Sequence, residues 1–183
     1  MDTTTDNHQE YKRLVAPIED QMIRIVWRIV RDPHDAEDTF QQALLVVWKR
    51  WNRICAHPNP HAIVLHICIN AAHDVLRRRA RRSRWVEAKG ILEDIPDSSP
   101  SAVQRISHAE QNSQLQHAIG RLSRNQGRAI LMHVIEEMPY SEIAALMNCR
   151  EVTVRKHVAR ARAKLRVLLH LIPTSRKEES CHA

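Results

Sequence analysis

Glycine is almost missing from this chain: 3 of its 183 residues, against an average usage of about 7%. Glycine supplies the left-handed backbone of tight turns and lets backbone approach phosphate closely. Glycine-dense turns, phosphate-cradling loops and barrels are therefore poorly supplied, and the chain must fold mainly with elements that do without it. With 43% hydrophobic residues it can still bury a core. Both facts point to helices.

Apolar spacing bears this out along residues 11–85. Leu14, Ile18, Met22, Ile25 and Ile29 form one amphipathic stripe, which predicts a helix closed at Asp32-Pro33. In Asp32-Pro33-His34-Asp35-Ala36-Glu37-Asp38 the proline suits a first helical turn, and the acids favour the positive end of the helix dipole. A second helix follows to about Arg53, burying Ala36, Phe40, Ala43 or Leu44, Val47 and Trp51. Ala56-His57-Pro58-Asn59-Pro60 reads as a loop. A third helix, roughly residues 61–84, begins apolar and ends in Arg77, Arg78, Arg79, Arg81, Arg82 and Arg84.

Apolar residues thin out over residues 86–112, where Pro96, Ser98, Ser99, Pro100 and Ser101 cluster; this predicts a flexible linker. A second helical module is expected over residues 113–173, followed by a polar tail, 174–183. Leu115, Ala118, Ile119 and Leu122 form one face. Ser123-Arg124-Asn125-Gln126 fits a capping box opening a helix with Ile130, Leu131, Val134 and Met138 inside. After Pro139 come a short helix, Tyr140 to Met147, a tight turn at Asn148-Cys149-Arg150, and a longer basic helix from Glu151 to about Leu171. That is the helix-turn-helix pattern. Val154, Val158, Ala161, Leu165 and Leu168 form its buried stripe, leaving Arg155, Lys156, Arg160, Arg162, Lys164 and Arg166 outside. The expected fold is all-α: two small helical domains, 1–85 and 113–173.

Charge gives these modules a partner class. The net charge is +7, carried as +4 on residues 1–85, −3 on 86–120 and +6 on 121–183, and 22 of the 28 cations are Arg. Guanidinium groups match phosphate geometry, so two basic patches divided by an acidic stretch predict nucleic acid. Four cysteines, Cys55, Cys68, Cys149 and Cys181, show no C-x-x-C pair and read as reduced thiols. With no long apolar run and no signal-like N-terminus, the expected location is the cytoplasm.

A recognition helix enters the major groove with its first turns against the base edges. Glu151, Thr153, Arg155, Lys156, His157 and Arg160 are the candidates to read duplex DNA. Other chemistries fit less well. Cys55, His57, His61 and His66 match no standard metal spacing, so no metal is expected. The acids Asp32, Asp35, Glu37 and Asp38 have capping and dipole roles and no accompanying base, so no catalytic residue and no cofactor is expected.

The run from Leu115 to Leu169, with Tyr140-Ser141-Glu142-Ile143-Ala144, Thr153-Val154-Arg155 and Arg160-Ala161-Arg162-Ala163-Lys164-Leu165, resembles the promoter-binding C-terminal domain of bacterial sigma factors. Asp32 to Asp38 with Phe40-Gln41-Gln42, Val47-Trp48, Asn70, Asp74 and the arginine block resembles the sigma region that binds polymerase and the −10 element. Two such domains are the layout of the extracytoplasmic-function group. The resemblance implies a promoter-specificity subunit, not an enzyme, working at the nucleoid with core RNA polymerase and promoter DNA, and in this group often held by an anti-sigma factor. It implies that Asp35, Glu37, Asp38, Gln41, Gln42, Leu45 and Trp48 dock on the beta-prime clamp helices. It implies that His66, Asn70, His73, Arg77, Arg78 and Arg81 take the −10 strand and its phosphates, and that the Glu151–Arg160 set reads the −35 element. Trp48 has a second reading as a core side chain. The chain departs from the pattern at Ile63 to Ile69, where an aromatic-rich run is usual, and at Asn148, where the turn glycine is usual.

Two rival functions share the composition. A regulator would bind operator DNA through the helix-turn-helix, with the first module serving dimerisation or sensing; an adaptor would use its basic surfaces on acidic proteins.

Overall fold

The computed structural model describes residues 3–88 and 103–169, and among these the ordered elements are helices. In chain order they are α1 (Thr3–Leu14), a 3-10 turn (Ala16–Ile18), α2 (Glu19–Val30), α3 (Pro33–Lys49), α4 (Trp51–Cys55), α5 (Pro60–Ala88), α6 (Val103–Gly120), α7 (Arg124–Ile135), α8 (Tyr140–Met147) and α9 (Glu151–Leu168).

Local chemistry sets these boundaries. The stripe expected as one helix from Leu14 to Ile29 is broken by Pro17, which sits inside the 3-10 turn and has no N–H to continue an α ladder. Arg31 closes α2 in the left-handed conformation, φ 56°. Asp32 then caps α3, its carboxylate accepting from the Asp35 N–H at 2.9 Å, with Pro33 in the first turn. The second helix does not reach Arg53 unbroken: it stops at Lys49, and α4 starts a separate short turn at Trp51. Asn59 opens α5 by accepting from the Ala62 N–H at 3.1 Å. That helix runs on to Ala88, and α6 begins at Val103, so the stretch expected as a linker over 86–112 is helical at both ends. Its central part, 89–102, lies outside the described residues, as do the tail 174–183 and the expected end of the last helix at Leu171.

Helices α2, α3 and α5 wrap a core of Met22, Ile25, Val26, Ala43, Val47, Ile69, Ala72 and Leu76. Helices α7, α8 and α9 continue the same core through Met132, Ile143, Val154 and Val158. A smaller cluster of Leu122, Ile130 and Ala161 holds α7 and α9 together. The two modules therefore pack on one another, chiefly through α5 against α6 and α7. Polar contacts sew the seam. Gln116 Nε2 donates to the carbonyls of Ile29 (3.0 Å) and Val30 (2.7 Å), which end α2 and have no partner in their own helix. Gln21 Nε2 donates to Glu136 at 2.5 Å, Asn59 Nδ2 to Glu142 at 2.7 Å, and Arg124 pairs with Asp74 at 3.3 Å.

Candidate nucleic-acid interface

Helices α8 and α9 stand as the spacing predicts. Asn148 ends α8 with φ 50° and ψ 53°, and the next N–H, of Cys149, donates back to Ala144 O at 3.0 Å. Asn tolerates this left-handed geometry better than most residues with a Cβ. Arg150 is extended and launches α9 in a new direction. Val154, Val158 and Ala161 are buried, while Leu165 and Leu168 are half-buried, so the stripe thins towards its end. Outside it, Arg155, Lys156 and Arg160 are exposed on the first two and a half turns; Glu151, Thr153 and His157 flank them half-buried. Arg155 is already oriented, its guanidinium bonded to Glu151 at 2.6 Å and lying 5.4 Å above the Tyr140 ring. Lys164, also exposed, donates to the Arg121 carbonyl at 2.5 Å and braces the loop before α7.

On the first module, α3 presents Glu37, Asp38, Gln41, Gln42, Leu45 and Trp48 to solvent. Trp48 combines both of its readings: it is 43% exposed, yet its ring stacks between Tyr11 (5.3 Å) and Trp51 (5.2 Å). Trp51 beneath it is buried and donates Nε1–H to Glu10 at 3.1 Å. Asp35 is half-buried and ion-paired with Arg79, which also donates to Val30 O at 3.3 Å. Arg79 thus clamps α5 to the start of α3.

The α5 set divides. Arg78 and Arg81 are exposed; Arg77 is half-buried beside Asp74 at 3.5 Å. His66 and Asn70 line a cavity of about 350 Å³ together with Arg50, Arg53 and His57, and the opposite wall is Leu146 and Asn148 of the second module. His73, expected among the −10 contacts, does not reach solvent: it is fully buried, its ring against Gly127 of α7 and its Nε2–H donating to Ile119 O at 3.3 Å. His66 Nε2, Asn70 Oδ1 and His73 Nδ1 have no hydrogen-bond partner. Burial pushes the His66 pKa down from 6.5 to about 4, helped by Arg128 and Arg50. Burial does the same to His73, to about 4, with Arg77 and Arg128 adding to it and the Ile119 carbonyl and Asp74 opposing. Both rings are uncharged at neutral pH.

Sequence reasoning missed this seam, and with it Gly120, Gly127, Arg128 and the pairing of Arg124 with Asp74. A signal was present: Gly127 interrupts an otherwise good helix pattern, where it costs about 1 kcal/mol relative to Ala, and such a glycine marks close approach of another backbone or side chain. Among the described residues there is no group of His, Cys, Asp or Glu that could hold a metal ion, and no helix is long and apolar enough to cross a membrane.

The halves match two family models in order: Sigma-70 region 2 over residues 14–82 and Sigma-70 region 4 over residues 112–165. The chain is 26% identical to "Probable RNA polymerase sigma factor RfaY" of Xanthomonas campestris pv. campestris over 86% of its length, and 28% identical to "ECF RNA polymerase sigma factor SigE" of Mycolicibacterium smegmatis over 85%. It spans 40% and 60% of those two proteins, respectively. Its fold is similar to that of the sigma factor RpoE of Bartonella quintana, solved in complex with the anti-sigma factor NepR, with a TM-score of 0.53 at 21% identity, covering 92% of this chain and 99% of that one. Carrying region 2 and region 4 in that order and aligning with such relatives over most of its length, the chain belongs to the extracytoplasmic-function group of the sigma-70 family of RNA polymerase sigma factors.

Proposed function

We propose that the protein is a dissociable promoter-specificity subunit: it joins core RNA polymerase and directs initiation at promoters bearing matching −10 and −35 elements, without covalent chemistry of its own. The observation that carries the reading is the juxtaposition on α9 of a buried Val154-Val158-Ala161 stripe with an exposed, pre-oriented Arg155, Lys156 and Arg160, reached through the Asn148 turn. An Arg can bond guanine O6 and N7 in bidentate fashion, and the flanking cations hold phosphates. Glu151, Thr153 and His157 complete the −35 set.

In this reading residues 1–85 form the polymerase and −10 module, 86–112 the linker, and 113–173 the −35 module. The exposed α3 face, with Leu45 and Trp48 between Glu37, Asp38, Gln41 and Gln42, docks on the beta-prime clamp helices; an aromatic anchor ringed by polar groups suits a protein partner. Asp35 acts at its edge while tied to Arg79. Arg78 and Arg81 track the phosphates of the opened strand beside Arg77, and His66 and Asn70 face its bases. The site of action is the cytoplasm, at the nucleoid, and an anti-sigma factor is a fitting partner, as for the Bartonella protein.

In vitro transcription with purified core polymerase tests this directly. Added chain should yield a discrete transcript from a cognate promoter. Binding to duplex DNA as a dimer with no specific initiation would instead make it an operator-binding regulator.

A further inference from the structure

Where α2, α6, α7 and α9 meet, a cavity of about 370 Å³ opens to solvent, away from both DNA-facing sets. Its floor is Ile29, Ile119, Ile130, Leu131 and Leu165, all buried or half-buried. Leu115 and Val134 stand at its lip, 37% and 54% exposed. Three exposed arginines share that lip, Arg28, Arg31 and Arg162, and Asn112 and Gln116 supply the remaining polar lining. Among the described residues that line the cavity there is no carboxylate.

Apolar depth behind a cationic mouth selects a ligand class. Small-molecule sites in helical bundles are concave and mostly apolar, hold roughly 300–1,000 Å³, and carry a few polar groups that fix orientation. A wholly apolar ligand would leave the arginines unused, a bare anion would leave the walls wet, and a cation would be repelled. An anionic head on an unbranched hydrocarbon tail satisfies floor and lip together. At roughly 30 Å³ for a group the size of a water molecule, the space takes about ten carbons.

We propose that this cavity binds a free straight-chain acyl carboxylate of about ten carbons, its tail on Ile29, Ile119, Ile130 and Leu131 and its head at Arg31 and Arg162. The arginines are available for it: none of the ion pairs among the described residues uses Arg28, Arg31 or Arg162. Arg28 donates to Ile135 O at 3.4 Å and faces Glu136, which offsets its charge and leaves the head group to the other two. Arg31 is retained at a cost. It closes α2 at φ 56°, a position where glycine or asparagine is usual, and α8 closes with Asn148 instead. Its described contact is one 3.4 Å bond from Nε to Arg28 O, so the outer face of the guanidinium is open to a ligand. Because both modules line the cavity, only the folded chain holds the ligand, and bound carboxylate raises the melting temperature.

Isothermal titration calorimetry of the full chain with octanoate and decanoate tests the site, with acetate and octan-1-ol as probes of head and tail alone. Decanoate should bind once per chain and about fifteenfold tighter than octanoate, since each buried methylene is worth about fourfold. Octan-1-ol should bind about tenfold more weakly than octanoate for want of a charge-assisted bond, and acetate should give no measurable heat. Arg31→Gly removes a head-group cation while relieving the left-handed backbone, so it should keep or raise the melting temperature and weaken decanoate about tenfold. Should that variant fail to fold, Arg162→Gln, on the exposed side of α9, reads the same tenfold loss. Val134→Glu sets a carboxylate at the lip and should abolish binding with helicity retained by circular dichroism. Failure of wild type to bind decanoate at millimolar concentration overturns the acyl ligand, whether water or a protein side chain then fills the cavity. Octan-1-ol matching octanoate, or binding unchanged by Arg31→Gly, Arg162→Gln and Val134→Glu, is partition onto apolar surface and overturns the site as well.

Discussion

Arg155 shows how far a single side chain on the proposed reading surface is oriented by its own neighbours. Its guanidinium is held by Glu151 and lies over Tyr140, so less rotamer freedom is lost on meeting a base than for a free arginine. Among the described contacts Arg160 has no such scaffold, and it is exposed five residues further along α9. The two should therefore differ. Arg155→Ala is expected to weaken binding by about 1–3 kcal/mol and to relax the preference at one base position, whereas Arg160→Ala should weaken all sequences alike and reduce the slope of log affinity against log salt by about 1. Titrations of both variants at several salt concentrations against a cognate and a scrambled −35 duplex would show the opposite assignment if it held. Trp48 is the corresponding residue on the proposed polymerase-facing side. Stacked on Tyr11 and Trp51 but 43% exposed, it should give up about 0.5–1.5 kcal/mol of stability per lost ring contact when replaced by alanine, leaving the chain folded while core polymerase no longer retains it. Thermal melting alongside a polymerase pull-down separates those effects; a collapse of helicity would make Trp48 a core residue.

At the scale of elements, the turn between α8 and α9 depends on one backbone conformation. Asn148 holds φ 50°, where a residue with a Cβ is disfavoured by about 1–2 kcal/mol and glycine is not. Asn148→Gly should leave melting temperature unchanged or raise it, and Asn148→Val should lower stability by about 1–2 kcal/mol and misdirect α9, seen as weaker −35 binding. Equal melting of the two variants would deny the turn this role. The turn and α9 were legible because their signals are local: a break after Met147, a residue type able to turn left, and a stripe of period 3.6. The exposed face of α3 was legible for the same reason, since Asp32 caps the helix and its buried and exposed faces separate cleanly. Helix α7 was not. The stripe Ile130, Leu131, Val134 and Met138 assumes one buried face, but Ala129, Ile130, Leu131 and Met132 are all buried while Val134 is 54% exposed. A helix covered by α9 on one side and α5 on another has no single stripe, and which foreign helix covers it is tertiary information. His73 was misplaced by the same cause: on α5 alone it belongs beside Asn70 and Arg77, and only the arrival of Gly127 buries it.

For the molecule as a whole, the two buried histidines at the seam tie proton binding to the stability of the fold. His73 faces Asp74 and Arg77 of its own helix, Arg128 of α7 and the Ile119 carbonyl of α6; His66 faces Arg50 at the α3–α4 joint and Arg128, with Arg53 and His57 around the same cavity. Cations outnumber the one carboxylate, so a proton added to either ring is repelled as well as poorly solvated. Each folded-state pKa is depressed from 6.5 to about 4. Above pH 6.5 the rings are neutral whether the chain is folded or unfolded, and the fold keeps its full stability. As pH falls from 6.5 towards 4 the unfolded chain takes up protons that the folded chain refuses, and the fold loses up to about 1.4 kcal/mol per pH unit for each histidine. The chain should therefore melt at lower temperature at pH 5 than at pH 7.5, reversibly, and His66→Gln with His73→Gln should flatten that dependence because an amide does not titrate in this range. Melting profiles of wild type that coincide at pH 5 and 7.5 would show that these rings do not set the acid sensitivity of the fold. A dependence that persists in the double variant would assign it to other groups; Glu136, its carboxyl raised by burial and bonded to Gln21 across the same seam, works the other way, because a raised carboxyl stabilises the folded chain as pH falls.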